Sequence, residues 1–482
     1  MRIEKRNTKQ TDKSNRSGTT GDSWKGSPAA SPRPALGVFD AIALVVGIVI
    51  GAGIYVTPGL VAGNTPNATW LIWSWVIGGA IALAGALCYA ELATTYPHAG
   101  GDYHYLTRAF GRPLALLFGW ARISVIPTGS IALLAFAFGD YASEVVSLGS
   151  YSSSIYAALI VALLTLINIT SIKHGKGAQN LFTLVEVAAL LLVIVAGLAL
   201  VTPAAPPDQA APASSHTPAL GLAMVFVMLA YGGWNEASYI SAEVRGKRHN
   251  LAIALILSIA IITALYTLVN LAFLRGLGFS EMTGSQTVGA DLMRRAFGEV
   301  GASLIALTVA ISALTSINAT ILFGARTSYA VGRDFAPLAF LGRWHSDANT
   351  PRLALLVQGA IALALVLLGT VTRQGVQTMI EFTAPVFWFF FLLAGISLFV
   401  LRRREPNLAR PFRVPLYPFT PIVFCASSAY LLYSSIAYAG IGSLVGVAVL
   451  GAGALLMLFA QNGGRIPAER APLTAQPRRA RE

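Results

Sequence analysis

Long apolar runs separated by short polar segments are the feature that most constrains this chain. A membrane-spanning helix needs about 20 apolar residues, and twelve runs of that order can be delimited. We number them spans 1 to 12: 38–60, 70–92, 113–138, 152–170, 179–202, 218–241, 250–274, 298–325, 352–372, 376–401, 415–438 and 441–461. Only 11% of the residues are charged, against about a quarter in a soluble domain. The sequence therefore predicts an all-α integral membrane protein with 12 transmembrane helices.

The distribution of lysine and arginine predicts how these spans are oriented. Basic residues concentrate in loops on the cytoplasmic side of a membrane. An orientation with both termini inside leaves few of them outside: Arg275, Arg294, Arg295 and Arg373. We therefore expect a multi-pass protein of the inner (cytoplasmic) membrane, with a disordered basic cytoplasmic tail at 1–36 and a cytoplasmic tail at 462–482. The net charge of +13 then reflects topology rather than a nucleic-acid surface.

The residues that carry most enzyme chemistry are sparse or scattered. The six histidines lie in predicted loops, and Cys88 and Cys425 lie within apolar runs, so neither type forms a ligand set for a metal. No GxxxxGK[ST] loop is present, and no GxGxxG follows a strand. We expect neither an enzyme nor a metal, cofactor or nucleic-acid partner, and no protein partner is indicated.

Two spans are interrupted near their centres. Span 1 contains GIVIGAGIYVTPG (47–59), and span 6 contains AYGGWNEA (230–237). The glycines could serve close helix packing, since Gly47 and Gly51 have GxxxG spacing. However, matched breaks in two halves are typical of a transporter built from inverted repeats. We therefore predict repeats at 37–202 and 218–401, followed by two further helices at 402–461.

Each break frees backbone groups that the bilayer cannot satisfy. The amides of Ala52, Gly53 and Ile54 would begin a second half-helix, where the positive end of the helix dipole suits a carboxylate. Freed carbonyls on the other side of each break would suit an ammonium group. Together they predict a site for a zwitterionic amino acid that needs no charged side chain.

The sequence resembles the amino acid-polyamine-organocation superfamily of permeases, and within it the L-type amino acid transporters and their bacterial relatives. The resemblance covers about residues 36–460 and rests on the two breaks and on other stretches. Those stretches are GALCYAELATTYPHAGGDYHYL, VIPTGSIALLAFAFGDY, RTSYAVGRDFAPL and RRREPNLARPFRVPLYPFTP.

The resemblance implies a leucine-transporter-like fold, a 5+5 inverted repeat plus two C-terminal helices, working by alternating access. It places the substrate carboxylate on the backbone of Ala52, Gly53 and Ile54. It places the amino group on carbonyls of Val49, Leu229, Ala230 and Gly232, with Asn235 bordering the site. Where related transporters have a large aromatic gate this chain has Leu229, so we expect the gate to be looser or to be formed by Phe226 or Trp234.

Glu186 and Arg122 are the two ionisable residues deepest within predicted spans. A charge in a membrane is costly unless it is paired or solvated, so both are functional candidates. Related transporters often carry a lysine at or beside the position of Glu186, standing in for a sodium ion, and the sign of the charge is reversed here. Three interpretations stay open: an ion pair between spans 3 and 5, a proton or cation coupling site at Glu186, and a substrate contact by Arg122.

These features predict a secondary active transporter of amino acids, working as a proton-coupled symporter or as an amino acid exchanger. We expect it to bind a small-molecule amino acid, a proton or an exchanged amino acid, and membrane lipid. The alternatives are a transporter of polyamines or other organic amines and an amino acid sensor that does not transport. A channel would require a continuous polar lining, which the sequence lacks.

Overall fold

The computed structural model describes residues 38–98, 101–170, 176–203, 219–238, 249–345, 350–438 and 440–461. The predicted tails at 1–36 and 462–482 lie outside these ranges. Within them the chain is almost entirely helical, and the one extended pairing described is an isolated bridge between His345 and Thr350. The predicted helical class is therefore confirmed.

The described helices are numbered in chain order. They are α1 (Val38–Val49), α2 (Gly53–Gly63), α3 (Ala68–Thr95), α4 (Asp102–Phe110), α5 (Arg112–Ser124), α6 (Ile126–Val145), α7 (Ser152–Thr170), α8 (Lys176–Val195), α9 (Leu220–Ala230), α10 (His249–Leu277), α11 (Phe279–Gly284), α12 (Val288–Asp334), α13 (Arg352–Thr372), α14 (Gly375–Arg404), α15 (Phe419–Ala437) and α16 (Ile441–Gln461). A π-helical turn, Ala196–Leu200, continues α8, and 3₁₀ turns lie at Trp234–Ser238 and Ala336–Gly342.

Eight helical segments in the described ranges are long and apolar enough to cross a membrane. Four further apolar helices are shorter: Gly53–Gly63, Leu184–Leu200, Leu220–Ala230 and Ile441–Met457. Three of them fall within predicted spans 5, 6 and 12, and Gly53–Gly63 overlaps the end of predicted span 1. A run of apolar residues continues across a break in the backbone, whereas a helix ends there. The helices in spans 1 and 6 are therefore shorter than the apolar runs that contain them. The total of twelve crossings stays a prediction.

Other helices are also interrupted. Span 3 is built from α5 and α6, which meet at Val125, and Pro127 lies in the first turn of α6, where its missing N–H is tolerated. The segment 275–297 contains the short helix α11 and the start of α12, which departs from helical geometry at Gly298, with φ of 66°.

Helix α3 packs closely against its neighbours because small residues line its contact faces. A Cβ atom added at Gly79 would collide with Thr263 of α10, and one added at Gly85 would lie 2.6 Å from the ring of Trp234. Small residues let membrane helices approach until their backbones are nearly in contact. In this way α3 lies against both α10 and the segment that follows α9.

The two ends of α3 define two faces of the bundle. The α11 face is the end at which α3 begins, and α2 meets α11 there: a Cβ atom at Gly59 would lie 3.0 Å from the Met282 carbonyl oxygen. Arg294 is the charged centre of this face. Its guanidinium contacts three carboxylates, those of Glu144 at 2.6 Å, Asp291 at 2.8 Å and Glu299 at 2.9 Å.

The α4 face is the end at which α3 finishes, and a buried carboxylate fixes the loop between α14 and α15 there. Glu91 of α3 is only 1% exposed. Its carboxylate accepts hydrogen bonds from Nε and Nη2 of Arg402, and a third from the Val414 amide at 2.7 Å. Arg410 lies 3.3 Å from the same carboxylate. One side chain of α3 therefore holds the end of α14 and the loop after it.

We expect Glu91→Gln to destabilise the protein strongly. Removing one partner of a buried ion pair leaves an uncompensated buried charge and costs about 3–5 kcal/mol. Glu405→Gln is the matched control, because the Glu405–Arg108 pair on the same face is more exposed and such pairs contribute about 0–1 kcal/mol. Thermal unfolding in detergent should show a much larger fall in midpoint for Glu91→Gln; equal falls would contradict the assignment.

Candidate functional site

The first predicted break is present in the structure. Helix α1 ends at Val49 and α2 begins at Gly53, and residues 50–52 belong to neither helix. Val49, Ala52 and Ile54 are all buried. The first N–H groups of a helix have no carbonyl partner one turn back, so the amides at the start of α2 form the positive end of a helix dipole within the protein interior.

The second break follows α9. The helix ends at Ala230, residues 231–233 form a turn, and a 3₁₀ turn begins at Trp234. Gly233 has φ of +108°, a backbone conformation that side chains disfavour strongly. The glycine therefore permits the change of direction that separates α9 from the segment after it.

The two breaks lie against each other. A Cβ atom at Gly53 would be 3.7 Å from the Cα atom of Ala230, and one at Gly233 would be 2.8 Å from Cγ2 of Ile48. Two segments separated by about 180 positions in the sequence thus bring their irregular backbones together. The residues predicted from the sequence for a carboxylate and for an ammonium group are consequently neighbours in one place.

A tyrosine that sequence reasoning missed joins the two breaks. The hydroxyl oxygen of Tyr266, on α10, lies 2.8 Å from the Val49 carbonyl oxygen and 3.2 Å from the Ala230 carbonyl oxygen, so the two acceptors share its single hydrogen. Because the same hydroxyl oxygen contacts both carbonyl oxygens, those of Val49 and Ala230 must lie close together. Each carbonyl has two lone pairs, so each retains acceptor capacity for a ligand.

Tyr266 is held in place by other aromatic rings. It meets Trp75 edge to face at a centroid distance of 5.7 Å and Tyr231 at 5.2 Å. The Tyr231 hydroxyl in turn donates to the Trp75 carbonyl at 2.9 Å. A tyrosine in the middle of an apolar span indicates a polar contact inside the bundle, since its buried hydroxyl requires a hydrogen-bond partner. The sequence does not indicate which partner that is.

Glu186 lies near the first break. It is a buried residue of α8, its carboxyl lies beside the Ser312 hydroxyl of α12, and Tyr55 and Tyr266 are its electrostatic neighbours. On the same helix, one turn beyond Ser312, the Ser316 hydroxyl would be 4.0 Å from a Cβ atom at Gly51. The structure thus places a carboxyl and two hydroxyls around the break in span 1.

Arg122 does not belong to this cluster. Its guanidinium lies 3.4 Å from the carboxylate of Glu236, in the segment after α9. The interpretation that Arg122 and Glu186 form an ion pair between spans 3 and 5 is therefore replaced, because the carboxylate beside Arg122 comes from span 6. Sequence reasoning missed this pair, since its members are 114 positions apart.

The predicted gating residues have different surroundings. Phe226 is fully buried, and Leu229 is partly buried. Trp234 is also buried, and its ring lies 5.2 Å from that of Tyr89 and 5.6 Å from that of Phe391. Trp234 thus joins the aromatic core that includes the run at 387–391.

Asn235 lies next to this core and is buried. Among the residues that the structure describes, its side-chain oxygen has no hydrogen-bond partner. An unsatisfied buried acceptor is costly, by about 1–3 kcal/mol. A polar group that borders the breaks and lacks a partner is consistent with its predicted place beside a ligand, which stays a prediction.

Comparison with known proteins shows which family this sequence belongs to. Residues 36–460 match the amino acid permease family. The chain therefore belongs to that family, and the resemblance seen in the sequence is confirmed.

Individual relatives are similar along most of their length. The b(0,+)-type amino acid transporter 1 of Rattus norvegicus is 29% identical over 83% of this chain and 82% of its own. The serine/threonine exchanger SteT of Bacillus subtilis (strain 168) is 29% identical over 86% of this chain and 95% of its own. The large neutral amino acids transporter small subunit 2 of Oryctolagus cuniculus is 27% identical over 92% and 84%.

We expect Gly233→Ala to destabilise the protein by about 1–3 kcal/mol, since it forces a side chain into a positive-φ conformation and towards Ile48. Gly53→Ala is the control, because its Cβ atom would meet Ala230 only at an ordinary contact distance of 3.7 Å in a helical conformation. Thermal unfolding in detergent measures both. A Gly233→Ala midpoint equal to that of Gly53→Ala would contradict the account of the second break.

Proposed function

We propose that this chain is a secondary active transporter that moves amino acids across the cytoplasmic membrane by alternating access. It crosses the membrane twelve times, its spans 1–5 and 6–10 form an inverted repeat, and both termini are cytoplasmic. The observation that carries the proposal is the contact between the two helix breaks, with Tyr266 bridging the Val49 and Ala230 carbonyls. This arrangement leaves backbone groups of both signs available in the interior of a membrane protein.

In the proposed site the backbone recognises the part that all amino acids share. The carboxylate binds the amides of Ala52, Gly53 and Ile54 at the start of α2, where the helix dipole is favourable. The ammonium donates to the remaining lone pairs of the Val49 and Ala230 carbonyls, with further acceptors at Leu229 and Gly232. A polyamine has no carboxylate and would leave the α2 amides unused, so an amino acid is the better fit.

The substrate class is a neutral amino acid. The proposed site uses uncharged backbone groups, and the carboxyl of Glu186 lies beside the Ser312 hydroxyl. Similar proteins are named for serine and threonine and for large neutral amino acids, which supports the same class. The side-chain pocket borders Asn235, and Phe226, Leu229 and Trp234 are the proposed gating residues.

Two modes of energy supply are compatible with this site. In a symporter, Glu186 would carry the coupled proton, since it is a buried carboxyl beside Tyr55 of α2 and Tyr266, which contacts the break in span 1. In an exchanger, one amino acid returns as another enters, and Glu186 need not titrate. Arg122 pairs with Glu236 instead.

Uptake of all twenty amino acids into proteoliposomes, with and without a pH gradient and with and without internal amino acid, tests the proposal. We expect saturable uptake of a subset of neutral amino acids, and inhibition by that subset only. Dependence on internal amino acid would indicate exchange, and dependence on the pH gradient would indicate proton symport. Absence of uptake for every amino acid under all these conditions would contradict the proposed function.

Glu186→Gln separates the two modes. If Glu186 carries the proton, the variant loses stimulation by an inward proton gradient and retains exchange between internal and external amino acid. The matched control is Glu381→Gln, which neutralises another buried glutamate, on α14, whose carboxyl binds Gln377 at 2.9 Å. Unchanged stimulation in Glu186→Gln would exclude it as the coupling site.

A further inference from the structure

A groove runs between α3 and α10 on the outer surface of the bundle, with a volume of about 640 Å³. Its floor is the contact between Gly79 and Thr263, where the absence of a side chain at position 79 lets the two helices touch. Ala80, Ala260 and Ala264 line the groove, and all three are exposed. The groove is therefore open along its outer side to the surroundings of the bundle.

The groove is present because small residues interrupt two apolar stripes. On α10, Leu257, Ile261 and Leu268 are 45%, 43% and 41% exposed, and they recur at helical spacing. On α3, Ile77 is 40% exposed. Both helices are long and apolar enough to cross a membrane, where exposed apolar stripes face lipid. The groove is thus continuous with the lipid-facing surface of the protein, and its alanines occupy positions that larger apolar side chains take elsewhere in the stripes.

The groove lies at the depth of the hydrocarbon core. It is lined by residues between 76 and 83 of α3 and between 259 and 268 of α10, which belong to the central part of each helix. The hydrocarbon core of a bilayer is about 30 Å thick and provides no water to fill a cavity. None of the described residues that line the groove is charged. Its occupant must therefore be largely apolar.

The dimensions of the groove favour a lipid chain over a helix. On α3 the lining residues extend from Val76 to Leu83, which is about 10 Å of helix. A membrane-spanning helix is about 30 Å long, so most of it would lie outside the groove. An acyl chain is thin and flexible and can fill a short groove, where each pair of contacting atoms adds a small dispersion energy. We propose that the groove binds one acyl chain of a membrane phospholipid.

The floor of the groove lies behind the aromatic residues that support the two breaks. The Thr263 hydroxyl lies beside the Tyr231 hydroxyl, and a Cβ atom at Gly78 would be 3.2 Å from Cε2 of Tyr231. Tyr266, on the same helix as Thr263, contacts a carbonyl of each break. A chain in the groove packs against Thr263 from outside, while Tyr231 contacts it from inside. The bound chain therefore stabilises the contact between α3 and α10 on which both tyrosines depend.

Two substitutions fill the groove from opposite sides. Ala264→Phe places a ring in it from α10, and Ala80→Phe places one from α3; both alanines are exposed, so neither ring enters the core. The probe is dioleoyl phosphatidylglycerol, titrated into the full chain in detergent after removal of bound lipid, with binding measured by native mass spectrometry. We expect either substitution to weaken the binding of one lipid molecule about tenfold, the equivalent of about 1.4 kcal/mol.

Ala364→Phe is the matched control, because it introduces the same ring at an exposed alanine of another helix, α13. It should bind the lipid as the wild-type protein does. Bound lipid stabilises the folded state, so it should raise the thermal unfolding midpoint of the wild-type and control proteins more than that of the groove variants. Midpoints measured without lipid show that each variant is folded. Equal lipid affinity in the wild-type protein and both groove variants would overturn the proposal.

Two further comparisons identify the occupant. Dioleoyl phosphatidylethanolamine should bind within about threefold of phosphatidylglycerol, or less than about 0.7 kcal/mol, because the described lining carries no charge. Thr267 also lines the groove, and its hydroxyl has no hydrogen-bond partner among the described residues. Thr267→Val should leave lipid affinity unchanged, since an acyl chain forms no hydrogen bond. A strong headgroup preference, much weaker binding in Thr267→Val, or a dimer that both groove variants dissociate would assign the groove to another ligand and overturn the proposal.

The binding test does not measure transport, and the proposal requires only that α3 and α10 cross a membrane. If lipid binding follows the substitutions but no amino acid is taken up, the acyl-chain site stands and the proposed function fails. If uptake is found but the substitutions leave lipid binding unchanged, the proposed function stands and the acyl-chain site fails.

Discussion

The rest of this structure depends on how a membrane protein satisfies backbone groups that its own helices have released. Lipid provides no hydrogen-bond partner, so a broken helix is tolerated only where protein or a ligand completes it. Here Tyr266 provides part of that completion, since one hydroxyl reaches a carbonyl of each broken segment. Its position depends on Trp75 and Tyr231, so three aromatic residues from three parts of the chain support both breaks.

The charged groups are arranged around this neutral centre rather than in it. Glu91 fixes a loop at one face, and Arg294 gathers three carboxylates at the other. Arg122, in the last turn of α5, pairs with Glu236, three residues after Gly233 of the second break. Ion pairs between residues distant in the sequence therefore hold the two ends of the bundle together, while backbone amides and carbonyls are the polar groups at the breaks.

The sequence alone was sufficient for features that depend on local chemistry. Glycines within apolar runs predicted both breaks. The family followed from motifs that surround the same breaks. Features that depend on which segments meet were not accessible: the partners of Tyr266 are 217 and 36 positions away, and no periodicity indicates them. Hydropathy likewise did not indicate the interruption at Val125, where α5 ends and α6 follows inside span 3.

The close approach of Gly233 to Ile48 has a consequence for how such a sequence can change. A Cβ atom at position 233 would come within 2.8 Å of the Ile48 side chain and 3.3 Å of its carbonyl oxygen. Reducing the side chain at position 48 would relieve the first contact, but the backbone oxygen would remain. A smaller residue at position 48 therefore does not make room for a side chain at position 233. We expect related sequences to vary more at position 48 than at position 233.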